Sequence, residues 1–426
     1  MLVLSLVIVF LICTLAGMPL FFAFGVSAAY ACIAGDLPLQ IIAQRLMIGM
    51  DSFALLAIPG FVLVGEIMCQ GGISRRAVDF SNSLIGHLRG GLSMVAVSTG
   101  MVMGGISGSA VADTAAVATV LVPSMVEENY PKEFSSAVVG TAGPLGNIIP
   151  PSIPMIVYSM VAGLSVLDLF LAGYIPGMMI GFSLMVLCYF ISKRRRYGPP
   201  GKYRFSWQNV GLTLKRSIMA LLTPLIIVGG IVSGVFTPTE SAMIGVVYAL
   251  IVAMLIYNEL SWREMPAVLL GSAKTTAKLV IIIATASVFS YISINEGIPE
   301  LFTDFMFGIS KNKYVILLFL NLILLITGLI IDILVATVII VPVLIPLGEA
   351  LAMDPLQMAM IFVLNMSIGL LTPPVGYCLF VSSTIAGVSV EDTAVNAIPV
   401  ILTMLGILAL LNVFPQLSLF VPGLIH

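Results

Sequence analysis

From Leu169 to Ser192, and again from Ala394 to the C-terminus, the chain carries no Asp, Glu, Lys or Arg. Apolar runs of this kind recur near 2–33, 52–70, 91–126, 134–162, 166–192, 217–235, 241–258, 276–293, 313–350, 356–386 and 394–424. A bilayer core takes ~20 apolar residues as one helix. In lipid each backbone polar group must bond within its own segment, so such runs fold as helices. Composition agrees: 60% of residues are hydrophobic and 9% charged, against about 25% charged in soluble domains. Mean hydropathy is +1.16. A soluble enzyme and a disordered chain are excluded, and a net charge of −2 gives no field for nucleic acid. The expected fold class is an all-α polytopic membrane protein. Cys13, Cys32, Cys69, Cys188 and Cys378 stand singly in apolar sequence and read as small buried hydrophobes. The opening MLVLSLVIVFLICTLAG has no basic n-region and reads as a retained first span.

Several runs are too long for one plain crossing and carry Gly, Pro or Asp midway. The segment 193–216 holds Lys193, Arg194, Arg195, Arg196, Lys202, Arg204, Lys215 and Arg216 with no acid. The positive-inside rule places it in the cytoplasm. If 91–126 and 313–350 are re-entrant hairpins, every basic residue falls inside except Arg45, Lys311 and Lys313. Arg263, Lys274 and Lys278 then fall on the cytoplasmic side. The N-terminus is expected inside, the C-terminus outside, and 37–50 as an external amphipathic connector. Trp207 and Trp262 are expected as interfacial anchors.

The two halves repeat at a separation of about 218–224 residues. Val117-Ala118-Thr119-Val120 before Pro123 recurs as Val335-Ala336-Thr337-Val338 before Pro342. In this register Asp113 pairs with Asp332 and Ser107-Gly108 with Thr327-Gly328. Gly146-Asn147-Ile148-Ile149-Pro150-Pro151 matches Gly369-Leu370-Leu371-Thr372-Pro373-Pro374. The orientation above makes the repeats inverted. Inverted repeats with interrupted helices mark secondary transporters, whose site lies where the repeats meet.

The interruptions carry the chemistry. Glycine permits close approach, and proline frees the carbonyl one turn before it. Each freed carbonyl must face protein, water or an ion. Carbonyls with Ser and Thr hydroxyls form a hard oxygen set suited to Na⁺. The first expected Na⁺ site uses Ser107, Ser109, Gly146 and Pro150; the second uses Thr327, Gly328, Gly369 and Thr372. Asn147, Pro151, Asp332 and Pro373 are candidates for the substrate, whose negative charge suits half-helix N-termini. Asp113 and Pro374 are assigned capping or structural roles. Asp332 is open to both capping and ligation, as an intramembrane carboxylate.

The runs GGISGSAVADTAAVATVLVPSM and GTAGPLGNIIPPSIPMIVY, with the repeat copy GLLTPPVGYCLFV, resemble the large membrane subunit of tripartite ATP-independent periplasmic (TRAP) transporters. The resemblance covers essentially the whole chain. It implies a non-enzymatic, elevator-type transporter in a bacterial inner membrane, driven by Na⁺. The implied cargo is an organic acid such as a C4-dicarboxylate or sialic acid. The implied partners are a small membrane subunit and a periplasmic substrate-binding protein. No additional four-helix segment flanks the repeats, so the small subunit is expected as a separate chain.

On this reading 91–162 and 313–386 form the mobile transport domain, each a hairpin plus a broken helix. Segments 1–70, 166–258, 276–293 and 394–424 supply scaffold spans. The competing readings are a stand-alone Na⁺/dicarboxylate symporter or antiporter, a channel subunit, and an intramembrane enzyme. The last lacks an intramembrane histidine to support GISGSA as a nucleophile motif.

Overall fold

The computed structural model describes residues 2–198 and 205–425; Lys202 and Arg204 of the basic loop lie outside the described residues. The described chain is helical, with no strand. Nine of its helices are long and apolar enough to cross a membrane, or up to ten with one bent pair counted as a span.

The N-terminal helices are α1 (Leu2–Leu15), α2 (Leu20–Ala34), α3 (Gln40–Met50), α4 (Ala57–Gln70) and α5 (Ile73–Ile85). The apolar run 2–33 is two helices packed on each other, the first of them within the opening stretch read as a first span. Gly17, at φ +80, and Pro19 break it. The stretch 37–50 is largely the helix α3, which bends 60° into the helix that follows.

The first repeat continues with α6 (Gly91–Ser107), α7 (Ala110–Glu127), α8 (Lys132–Val139), α9 (Ala142–Ile148) and α10 (Ile153–Ala162). Next come α11 (Val166–Arg195), α12 (Trp207–Val232), α13 (Pro238–Leu250) and α14 (Met265–Asn295). The expected loop 193–216 is therefore shorter. Lys193, Arg194 and Arg195 form the last turn of α11, where cations meet the negative helix end. Lys215 and Arg216 lie inside α12. The expected span 276–293 extends to all of α14, which carries both Lys274 and Lys278 within a helix. Trp207 and Trp262 are both strongly exposed.

The second repeat comprises α15 (Ile298–Ile309), α16 (Lys313–Ile330), α17 (Ile333–Ala350), α18 (Pro355–Gly369) and α19 (Tyr377–Ala386). The helix α20 (Val390–Val413) and two single turns end the chain.

Both expected hairpins break after 17–18-residue arms. In the first, α6 and α7 pack along each other; in the second, α16 and α17 splay and meet near the break. The repeats interlock, because α7 packs on α19 and α10 on α17. Tyr158 of α10 and Phe362 of α18 bring their rings to 5.5 Å across this seam. The helices α1, α2 and α14 form a separate apolar contact. There Phe10 stacks on Phe24 at 4.7 Å and both lie against Phe289.

Candidate transport site

Small residues let α6 lie on α9 almost backbone to backbone. A Cβ on Gly104 would stand 2.8 Å from the Gly146 Cα. The equivalent contact in the second repeat is Gly328 of α16 on Gly369 of α18. The helix ends correct the repeat register at the tips. Ser107 closes α6 as Ile330 closes α16, and Ser109 precedes α7 as Asp332 precedes α17. Thus Ser107 is not the counterpart of Thr327, nor Asp113 of Asp332.

At the first tip, Gly108 turns the chain at φ +59. The turn folds the Ser109 N–H back onto Ser107 Oγ at 3.1 Å. Ser107 Oγ donates to Asp113 Oδ1 at 2.5 Å. Asp113 is fully buried and its Oδ2 has no hydrogen-bond partner among the described residues. A Cβ on Gly146 would stand 2.5 Å from that Oδ2, so the free oxygen faces the α9 backbone. Pro150 has no N–H to give the Gly146 carbonyl, which leaves that carbonyl without its helical donor. Of the capping or structural roles expected for Asp113, capping does not hold: Ser109 has the N-cap position of α7, and Asp113 lies in the first turn, its side chain reaching back to Ser107 at the tip.

The next freed carbonyl, that of Asn147, accepts Ser152 Oγ at 2.7 Å. The peptides Pro150–Pro151 and Pro373–Pro374 are both cis. Asn147 is 2% exposed and its Nδ2 is unpartnered among the described residues, a buried donor available to a ligand.

At the second tip Asp332 is the N-cap of α17, with Oδ1 accepting from the Leu334 N–H at 2.9 Å. Thr327 lies inside α16 and donates to the Ile323 carbonyl at 2.9 Å. Thr372 donates likewise to the Ile368 carbonyl at 2.9 Å, and the Gly369 carbonyl accepts the Thr372 N–H at 3.1 Å. Both hydroxyls keep lone pairs, but among the described residues no fully buried carboxylate like Asp113 belongs to the second repeat.

One cavity of about 370 Å³ joins the tips. Among the expected site residues it is lined by Ser107, Ser109, Asn147 and Asp332. Gly146 and Asp113 lie behind Ser107. Pro151 and Pro373, expected to touch substrate, are not on its wall: Pro151 is buried, while Pro373 and Pro374 are exposed at the second break. Thr327, Gly328, Gly369 and Thr372 are also set back from it. The opposite wall holds residues that hydropathy did not single out: Glu66 and Cys69 of α4, and Thr275 and Lys278 of α14. A polar chain behind the second repeat was also missed. Asn365 donates to Asn321 Oδ1 at 2.7 Å, and Asn321 to Asn412 Oδ1 at 3.0 Å.

The family model described as "Tripartite ATP-independent periplasmic transporter, DctM component" matches residues 7–417. A putative TRAP transporter large permease protein of Haemophilus influenzae is 42% identical over 380 residues, covering 89% of each chain. The sialic acid TRAP transporter large permease protein SiaM of Vibrio cholerae is 36% identical over 412 residues, with 96% of each covered. The C4-dicarboxylate TRAP transporter large permease protein DctM of Pseudomonas aeruginosa is 38% identical over 373 residues, covering 88% of this chain and 87% of that one. Among solved structures, the YdaH transporter of Alcanivorax borkumensis superposes with a TM-score of 0.64 at 13% identity, covering 88% of each chain, a likeness of fold. A multi-pass helical bundle whose broken helices meet at one cavity, and which matches this family over nearly its whole length, is a transporter rather than an enzyme: the chain belongs to the TRAP transporters, as their large membrane subunit.

Proposed function

We propose that this subunit couples inward Na⁺ movement to uptake of an organic acid of the sialic acid or C4-dicarboxylate kind. The observation that carries the reading is the oxygen set at the first tip. The unpartnered Oδ2 of Asp113 faces the Gly146 backbone, and Ser107 Oγ stands beside it. A buried carboxylate oxygen without a donor is costly. A monovalent hard cation held by it, by Ser107 and by the freed Gly146 carbonyl would meet that cost. The second tip offers Thr327, Gly328, Gly369 and Thr372 as a weaker, neutral counterpart. The substrate anion would lie in the shared cavity, against the unpartnered Nδ2 of Asn147.

The interlocked segments 91–162 and 313–386 would move as one body against 1–70, 166–258, 276–293 and 394–424, an elevator in which the two hairpins re-enter from opposite faces. The N-terminus would lie in the cytoplasm and the C-terminus in the periplasm of a bacterial inner membrane. Large subunits of this family work with a small membrane subunit and a periplasmic binding protein. Names of relatives that include sialic acid and C4-dicarboxylate support the substrate class.

The test is uptake of N-acetylneuraminate and succinate by proteoliposomes holding both membrane subunits, with the binding protein outside. Uptake is expected to need an inward Na⁺ gradient and the binding protein. Uptake indifferent to Na⁺ would reject the coupling. Robust uptake by the isolated chain would favour a stand-alone symporter.

A further inference from the structure

The helix α14 has 31 residues, and Lys278 stands near its middle, about 20 Å from its start at a rise of 1.5 Å per residue. This lysine falls within the apolar run 276–293, and an ammonium in a membrane segment normally marks a solute path or meets a partner. Lys278 makes no hydrogen bond or ion pair with any described residue. It is exposed, and the space it faces is the cavity shared with Ser107, Asn147 and Asp332.

Its face on the helix is fixed by its neighbours. Gly271, Thr275, Lys278 and Ile282 follow one another at four-, three- and four-residue steps, which is one side of an α-helix. At Gly271 that side presses on α4, where a Cβ would stand 3.3 Å from Glu66 Oε1. From Thr275 onward it opens onto the cavity. Glu66 is held by Gln70 Nε2 at 2.8 Å. Lys278 is thus the one cation in the described cavity wall, which otherwise carries the carboxylates of Glu66 and Asp332.

We infer that Lys278 binds the carboxylate of the transported acid when the hairpin tips stand opposite α14. The inference rests on the organic-acid reading above and adds its counter-charge. Cations bound at the tips screen the acid from Asp332, while Lys278 holds it from the far wall. Since α14 lies in the proposed scaffold, the contact breaks when the transport domain moves, so the charge serves one end of the cycle.

The experiment uses the assembled two-subunit complex in proteoliposomes, with saturating loaded binding protein. The probes are the carboxylates N-acetylneuraminate, succinate and 2,3-diketo-L-gulonate. Lys278→Gln should lower the uptake rate by at least about tenfold, leaving the half-saturating Na⁺ concentration unchanged, while Lys278→Arg keeps most of the rate. Because Cys69 lines the same cavity, a Cys69→Ser parent is used for chemical rescue. In that background Lys278→Cys should regain uptake after 2-aminoethyl methanethiosulfonate, which restores a cation, and not after the methyl or 2-sulfonatoethyl reagent. Wild-type rates in Lys278→Gln, equal rescue by the neutral reagent, or equal loss in Lys278→Gln and Lys278→Arg would each overturn the inference. If the parent carries none of the three acids, the organic-acid reading fails first and the inference falls with it.

Discussion

Ser107 and Asp113, six residues apart across a helix break, meet through a 2.5 Å hydrogen bond in which the serine hydroxyl donates. The bond uses one carboxylate oxygen and aims the other at Gly146 of a different helix. A hairpin tip is thereby tied to the break in α9. Any cation that takes the free oxygen would draw Ser107, Gly108 and the α9 backbone into one arrangement, which is what coupling needs: an ion that orders the tip before the substrate can sit on it.

Asp113→Asn should therefore raise the half-saturating Na⁺ concentration for uptake by at least about tenfold, equivalent to about 1.4 kcal/mol. The amide keeps the volume but loses the charge and turns one oxygen into a donor. Ser107→Ala should act in the same direction and less strongly, since it removes a neutral ligand. Na⁺ titrations of proteoliposome uptake check both, and an unchanged Na⁺ dependence in Asp113→Asn would remove the first tip as an ion site.

Thr327 and Thr372 separate the sequence register from the structural one. Thr327 lies before the end of α16 and is already bonded to its own helix. Thr372 lies within the break itself. Thr372→Ala combined with Ser107→Ala should raise the Na⁺ requirement beyond either change alone. Thr327→Ala should move it less than Thr372→Ala, and a larger effect from Thr327 would restore the sequence pairing with Ser107.

The breaks were legible because their chemistry is local. A proline at 150 or 373 removes the donor for residue 146 or 369 whatever the rest of the chain does, and a glycine stands at both positions. The register of the tips was less legible, since short apolar runs match in more than one frame. Asp113 was misread because nothing nearby in the sequence shows a side chain reaching back over a turn to Ser107. The place of Lys278 was illegible for a different reason: a charge at the edge of an apolar window looks like the end of a span, and only the fold shows α14 running through it along the cavity wall.

The phenylalanine cluster marks a different dependence. Phe24 is fully buried, stacked on Phe10 and edge-on to Phe289. Phe24→Ala leaves a cavity that in a soluble core costs about 3–5 kcal/mol. Thermal unfolding in detergent should begin at lower temperature, with the Na⁺ dependence of the remaining uptake unchanged. A shifted Na⁺ dependence would show that α1 and α2 bear on the site rather than only on the scaffold.

The glycines of the two repeats make the sharpest comparison, because their surroundings are not symmetrical. A methyl on Gly146 would stand 2.5 Å from Asp113 Oδ2, filling the space proposed for the ion. A methyl on Gly369 would overlap the backbone of Gly328, which cannot swing aside as a side chain can. A methyl on Gly328 meets nothing nearer than 3.4 Å, an ordinary van der Waals contact. Gly146→Ala and Gly369→Ala should each reduce uptake by at least about tenfold while the protein still inserts and purifies. Gly328→Ala should retain most of its uptake, since alanine also favours the helix over glycine by about 1 kcal/mol. Gly146→Val should abolish uptake altogether. The check is initial uptake rate per inserted protein across the four variants. If Gly328→Ala proves as damaging as Gly369→Ala, the α16–α18 contact is tighter in the working transporter than in this arrangement. If Gly146→Ala transports normally, the space beside Asp113 holds no ion.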